Sequence, residues 1–249
     1  SAAVGVYQSG RREGDGLENV WKDIRFGFRT LVRNPATSLV AVLTLALGIG
    51  ANAAIFSVVN GVLLAPLPYP QPEELVRVWE SAPKLGFPRF SVAPPNFDDW
   101  RKQSRSFEVL SAFRRDRFNL TGGEQPEVLQ GGVVTPGFFG MLGVPLEAGR
   151  DFRQEEGRPG QDRVVVLSHG LWQRRFGADP NIAGRSLLLN GESYLVVGVA
   201  RQGFDLPAEC DLWVPLALDF AAEHRGAHYI GTIGRLRDGV GLEKAQAEM

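Results

Sequence analysis

Ser168 and His169 are adjacent and together offer a hydroxyl and a base, the residue types that nucleophilic chemistry requires. Neighbours at a helix start point in different directions, however, and no G-x-S-x-G elbow surrounds them. Ser168 reads more simply as a helix cap, with His169 in the first turn. His224 and His228 could share a helix face, but Gly226 lies between them and no H-E-x-x-H accompanies them. Asp98-Asp99 and Glu155-Glu156 read as solvated charges and not as paired acid and base. Cys210 is the single cysteine, which excludes an internal disulfide and a cysteine-rich zinc site. No G-x-x-x-x-G-K-[ST] occurs, so the chain does not hydrolyse ATP by a P-loop mechanism. Gly48-Ile49-Gly50-Ala51-Asn52-Ala53 imitates a dinucleotide fingerprint. The residues before it have membrane-helix composition, though, and the first acid after it is Glu73. Asn119-Leu120-Thr121 is a formal glycosylation sequon. The expected inventory is therefore catalytic residues none, cofactor-binding residues none, metal ligands none, and no enzyme.

The elements around these residues say more than the residues do. The chain has 249 residues and a net charge of −1, a balance that argues against nucleic acid as a partner. Between Arg33 and Glu73 there is no charged side chain. The run from Thr37 to Leu64 exceeds the roughly 20 apolar residues that a bilayer core demands of a helix. Inside hydrocarbon a helix is forced, because unpaired backbone groups are costly there. Ala51-Asn52-Ala53 imitates a signal-peptide cleavage site, but apolar residues continue through Ile55, Phe56, Val58, Val59, Leu63 and Leu64. Ala46, Gly50 and Ala54 form a stripe of small residues that would let another helix approach; they would also suit a lone anchor. Asn52 and Asn60 should face partner helices. Lys22, Arg25, Arg29 and Arg33 precede the span and Glu73, Glu74 and Glu80 follow it, which places the N-terminus in the cytoplasm. Trp21, Ile24, Phe28, Leu31 and Val32 recur at helical spacing beside that basic stripe. Such a segment suits membrane lipid at the inner leaflet, or is a solvated basic flank. Asn34-Pro35 ends it.

Beyond the span, Pro66, Pro68, Pro70 and Pro72 make a stiff exit. Strands are expected at 75–79, 107–113, 127–134, 164–167, 187–189, 194–199 and 229–236, and 81–93 is expected as a loop. Helices are expected to open at Pro94 or Pro95, near 136–142, at Ser168 through Phe176, and over 242–249. Asn190-Gly191 is a strong hairpin signal. Mixed strands and helices without regular βαβ repetition give an α+β class. Ser1 and the unfinished helix at Met249 suggest a fragment.

Several blocks in fixed order carry a resemblance. Trp21-Lys22-Asp23-Ile24-Arg25, Asn34-Pro35, LTLALGIGANAAIFSVVNGVLLAPLPYP and Leu75-Val76-Arg77-Val78-Trp79-Glu80 lie near the start. Phe97-Asp98-Asp99-Trp100-Arg101, VVVLSHGLWQRRFGADP, Asp211-Leu212-Trp213-Val214-Pro215-Leu216 and Gly234-Arg235-Leu236-Arg237-Asp238-Gly239-Val240 follow. From about Trp21 to Met249 the chain resembles MacB/FtsX-like ABC transporter permeases, and within them the duplicated orphan permeases common in acidobacteria. The resemblance implies one transmembrane helix followed by a periplasmic porter-like βαβ domain with an inserted sabre-like subdomain. From the residues themselves, 1–19 is expected as a cytoplasmic tail, 20–34 as an amphipathic juxtamembrane helix and 36–65 as the transmembrane helix; on the family's pattern the periplasmic domain follows. Residues 73–120 would be the first porter part, 121–227 the insertion and 228–249 the start of the second porter part. It also implies a bacterial inner-membrane location, with the main domain periplasmic. The implied partners are a separate cytoplasmic ABC ATPase, a periplasmic or envelope partner, and a homo- or hetero-dimeric assembly. The alternative is a membrane-anchored envelope scaffold or regulator with a periplasmic interaction domain.

Overall fold

The computed structural model describes residues 21, 25–27, 29, 33–62, 69–122 and 125–249. The chain divides into two compact units, Ser1–Pro66 and Leu67–Met249.

In the first unit, helix α1 spans Pro35–Val62. Pro35 occupies the first helical position, where its missing N–H costs nothing, and the Asn34 carbonyl accepts the Ser38 N–H at 3.1 Å. The 28 residues of α1 rise about 42 Å at 1.5 Å each, more than a hydrocarbon core requires. Leu39, Leu43, Leu47, Ile49, Ile55 and Phe56 are all exposed, so the helix is apolar around its circumference, as a membrane span is and a surface helix is not. Thr44 returns its hydroxyl to the Val40 carbonyl at 2.8 Å and so hides its polar group. At Gly48 and Gly50 an added Cβ would meet nothing within 4 Å. Among the described residues this is the one helix long and apolar enough to cross a membrane, over Pro35–Ser57. The end of the expected span at 63–65, the side chain of Asn60 and most of the expected segment 20–34 lie outside the described residues.

The second unit is α+β. A nine-stranded sheet runs in the order β1-β11-β4-β5-β10-β7-β9-β6, with β8 pairing both β4 and β9. Its strands are β1 Leu75–Val78, β4 Phe107–Thr121, β5 Glu127–Val134, β6 Ala148–Gly149, β7 Val164–Leu167, β8 Ser186–Leu189, β9 Glu192–Val199, β10 Leu212–Pro215 and β11 Gly231–Leu236. Helices α2 Pro94–Gln103, α3 Phe138–Met141, α4 His169–Phe176 and α5 Leu242–Glu248 flank it. Because β8 bonds back to β4, the pairings β4-β5-β10-β7-β9-β8 form a closed circuit. Strand β4 serves two neighbourhoods: Phe107–Phe113 faces β11, while Phe113–Leu120 pairs with β5.

Period-two alternation builds two cores on opposite faces of the same strands. Val165 and Leu167 of β7 and Leu212 and Val214 of β10 enter one cluster with Leu171 and Ile182. Val164, Val166 and Trp213 enter the other with Phe138, Phe139 and Phe152. Strands β7 and β10 are buried along their whole length, the environment that favours short, continuous apolar runs.

Most expected elements stand where they were read, and three expectations need correction. The segment read as a loop over 81–93 holds a separate two-stranded sheet, β2 Glu80–Ala82 with β3 Phe87–Phe90. Gly86 makes its turn at φ +82°, a conformation that only glycine adopts freely. The strand read as 107–113 continues to Thr121, because Phe118 and Leu120 keep the inward alternation that the charged run Arg114–Arg117 obscures. Strand β10 was not expected at all. Its four residues find partners in β5, 81 positions earlier in register, and in β7.

Candidate functional site

The residues that could have done chemistry are occupied otherwise. Ser168 accepts the Leu171 N–H on its Oγ at 3.0 Å and caps α4. The His169 ring stands edge-on to Trp172 at 5.6 Å instead of addressing that hydroxyl. His224 Nδ1 accepts the Gly226 N–H at 3.0 Å, whereas His228 Nε2 lies 2.9 Å from Glu80 Oε2. The two histidines are engaged separately. Among the described residues no three His, Cys, Asp or Glu gather as metal ligands would. Cys210 is buried, and that burial pushes its thiol up to about 12, which makes it unreactive near neutral pH.

The carboxylates read as solvated are largely paired. Glu156 is buried and receives both terminal nitrogens of Arg150, at 2.9 and 2.6 Å, and the Arg153 N–H at 2.7 Å. Burial works against its charge, but these donors hold the carboxyl below its usual range. Asp98 binds Arg101 and Lys102 one turn on, and Asp99 pairs with Arg225 at 2.8 Å. Sequence spacing alone accounts for the Asp98 pairs; the Asp99–Arg225 pair is closed only by the fold.

What the fold does assemble is an anchorage for the segment that enters the second unit. The Arg235 side chain on β11 is 9% exposed and meets Glu74 Oε2 at 3.1 Å. Its Nη2 donates to the Pro70 carbonyl at 3.1 Å and its Nε to the Met141 carbonyl at 2.8 Å. One guanidinium thus ties the entry segment, the end of α3 and the sheet together, using its fixed fork of donors. Pro70 also lies over Gly143, where an added Cβ would come within 3.0 Å of the Pro70 ring. Tyr69 stands edge-on to Phe204 at 6.3 Å. Sequence reading missed Arg235, whose partners lie 94 to 165 positions away. The available signal was an arginine in an otherwise apolar or small-residue strand.

A second fastening holds the other end of the unit. Glu248 on α5 accepts the N–H groups of Arg105 at 2.6 Å and Ser106 at 2.8 Å, and the Ser104 hydroxyl at 3.0 Å. The bonds from Ser106 and Arg105 hold this carboxyl down to about 2, against 4.5 unperturbed. A folded-state value below the unfolded one adds stability that is complete above about pH 4.5 and is lost as pH falls through about 2. We expect hydrogen exchange of the Arg105 and Ser106 amides to quicken, relative to intrinsic rates, between pH 5 and 2. In Glu248→Gln the same amides should already be less protected at pH 5 and show little further change. Equal protection in both proteins at pH 5 would discard this role for Glu248.

Two surface hollows occur among the described residues, and only the first borders a fastening, that of Glu248. One, of about 760 Å³, runs beside the outer strand β1 between Trp79, Trp100, Leu242 and Met249. The other, of about 480 Å³, lies between the end of β4 and β8. Its arginines are already engaged, Arg175 by the Gln125 carbonyl at 2.6 Å and Arg185 by Asp179 at 3.1 Å.

The architecture has known counterparts. Residues 38–249 match the family model of the MacB-like periplasmic core domain. The chain is 29% identical over 106 residues, 41% of its length, to the "Probable export ATP-binding/permease protein" of Pseudomonas fluorescens (strain Pf0-1), covering 16% of that protein. It is 27% identical over 115 residues, 45% of its length, to the macrolide export ATP-binding/permease protein MacB of Burkholderia pseudomallei (strain 1710b), covering 18% of it. The chain therefore spans less than a fifth of these relatives. Its fold is similar to the periplasmic region of MacB from Actinobacillus actinomycetemcomitans, with a TM-score of 0.55 and 14% identity over 70% of this chain and 79% of that one.

Proposed function

Because the chain belongs to the MacB-like periplasmic core domain family, we propose that it acts in the permease component of an ABC-type export or mechanotransmission system. In this reading α1 is a bilayer-spanning helix of the bacterial inner membrane, with its N-terminus in the cytoplasm and the second unit in the periplasm. A cytoplasmic ABC ATPase, which we assign to a separate chain, supplies the energy; the naming of the relatives as export ATP-binding/permease proteins supports the association with such an ATPase. The observation that carries the proposal is the anchorage at Arg235. A movement reaching Pro70–Glu74 meets a segment bonded directly to β11 and to the end of α3, so it is passed to the sheet and not absorbed by a slack linker.

We read the domain division on the sheet: residues 73–120 with 228–249 would form the porter-like part, with β1-α2-β4 and β11-α5, and 121–227 the insertion, which holds most strands of the closed circuit. Strand β4 belongs to both. Through it, and through the envelope partner or second copy that we assign to the insertion, motion would leave the membrane.

The test is isolation of the full-length protein containing this chain from its native membranes in mild detergent. An ABC ATPase should co-purify, and its ATP hydrolysis should be vanadate-sensitive. A stable envelope protein bound without any ATPase would instead make the chain a tethered scaffold and end the relay reading.

A further inference from the structure

The β2–β3 hairpin ends in a tip that the rest of the fold leaves uncovered. Leu85 is 76% exposed and Phe87 59%. Pro83 and Pro88 beside them are exposed as well. Two cations, Lys84 and Arg89, flank these apolar side chains, and no acid occurs between Glu80 and Asp98. The base of the hairpin, by contrast, is braced. Glu80 accepts the Ala93 N–H at 2.8 Å and the Asn96 amide at 2.9 Å, and meets His228 Nε2 at 2.9 Å. Phe90 stacks edge-on against that histidine at 4.9 Å and against Phe87 at 6.3 Å. The single acid of the hairpin is thus spent on fixing its root, and the tip is left both apolar and positive.

We propose that this tip is a lipid-contact site that seats Leu85 and Phe87 among the acyl chains of an anionic bilayer surface, with Lys84 and Arg89 on the headgroup phosphates. The composition matches that occupant: apolar side chains gain by entering the acyl boundary, and adjacent cations gain from negative lipid. The inference rests on α1 being inserted in the same membrane. With that helix inserted, the chain from Val62 to Tyr69 spans at most about 25 Å even if fully extended, so the second unit stays close to the surface that its hairpin would touch. The site would fix the orientation of the unit against the membrane, a second contact beside the covalent tether.

The experiment uses the whole chain in nanodiscs with a fluorophore on a single introduced cysteine. Buried Cys210, with its thiol pushed up to about 12, gives little background labelling. Probes at Leu85→Cys and Phe87→Cys should be blue-shifted and quenched by doxyl lipid when phosphatidylglycerol is present. A probe at Val128→Cys, which is 61% exposed on β5, should be neither. Each cation is worth about a five-fold preference for the anionic surface. Lys84→Glu with Arg89→Glu, or pure phosphatidylcholine, should therefore remove most of the quenching at position 85. A probe at Ile49→Cys reports on α1 separately. Quenching at 49 without quenching at 85 overturns the hairpin proposal alone, and no quenching at 49 overturns it together with the membrane-spanning reading. A blue shift at 85 that depends on protein concentration and not on lipid quencher would assign the tip to a protein surface and likewise overturn the proposal.

Discussion

Arg235→Met should lower the stability of the second unit by about 3 kcal/mol, the scale for removing one partner of a largely buried, hydrogen-bonded ion pair. Methionine fills much of the same space, so the loss falls on the polar groups left behind. These are the Glu74 carboxylate, 19% exposed, the carbonyls of Pro70 and Met141, and more weakly that of Gln71 at 3.5 Å. Lysine keeps the charge but provides a point donor in place of a fork, and these acceptors in different directions cannot be met by it at once. Arg235→Lys should therefore recover less than half of the loss. Urea unfolding in detergent micelles, followed by circular dichroism, measures both. Limited proteolysis supplies the second readout, since freeing Pro70–Glu74 from the sheet should open a cleavage site there before the strands unfold. A change in Arg235→Met within about 0.5 kcal/mol, the range of ordinary surface substitutions, would show that the anchorage is incidental. In the full-length protein the same substitution tests the proposed relay: on that proposal, ATP hydrolysis should persist while the nucleotide-dependent change in the second unit weakens.

The division between what the sequence revealed and what it hid follows the range of the interactions. Local signals read true. Asn190 and Gly191 take φ +53° and +81° in the β8–β9 turn, Ser168 caps α4, and Pro35–Val62, within the uncharged stretch after Arg33, is a continuous helix. Each is decided by residues within one or two turns of itself. Strand β10 was missed because a short apolar run is ambiguous until its neighbours are known, and its neighbours are β5 and β7. Glu156 looked solvated because its own sequence is polar; it is buried because Arg150 closes over it. Arg235 lies in one of the blocks that carry the family resemblance, yet no residue of its own strand needs a cation. The candidate site is in this sense a property of the tertiary fold. Its acceptors are backbone carbonyls, and carbonyls are invisible to sequence patterns.

The same limit applies to Gly132, whose necessity appears only when β10 is laid beside β5. Trp213 pairs with Gly132 across the two strands, and its fully buried indole lies over the glycine, within a cluster formed with Phe139 and Phe204. Its Nε1 donates to the Leu206 carbonyl at 3.0 Å, so the ring is held in place. A Cβ at position 132 would come within 2.5 Å of the indole Cδ1 and 2.8 Å of Nε1. Trp213→Ala should cost about 3–5 kcal/mol through lost burial and the cavity that remains. Gly132→Val should cost about 1–3 kcal/mol, because a pinned ring cannot yield cheaply. In the double variant the obstacle is gone, valine favours a strand, and its methyl groups enter the space that the indole left. The two losses should then fall short of additive by more than 1 kcal/mol, a coupling expected only between groups in direct contact. Gly131→Val is the control, since its Cβ would strike the Phe118 ring at 2.4 Å instead and Trp213→Ala leaves that ring where it is. Urea unfolding of the three single variants, the two double variants with Trp213→Ala and the parent chain completes both cycles, and strict additivity between positions 132 and 213 would remove the ring-over-glycine contact from the account of how β10 is held to β5.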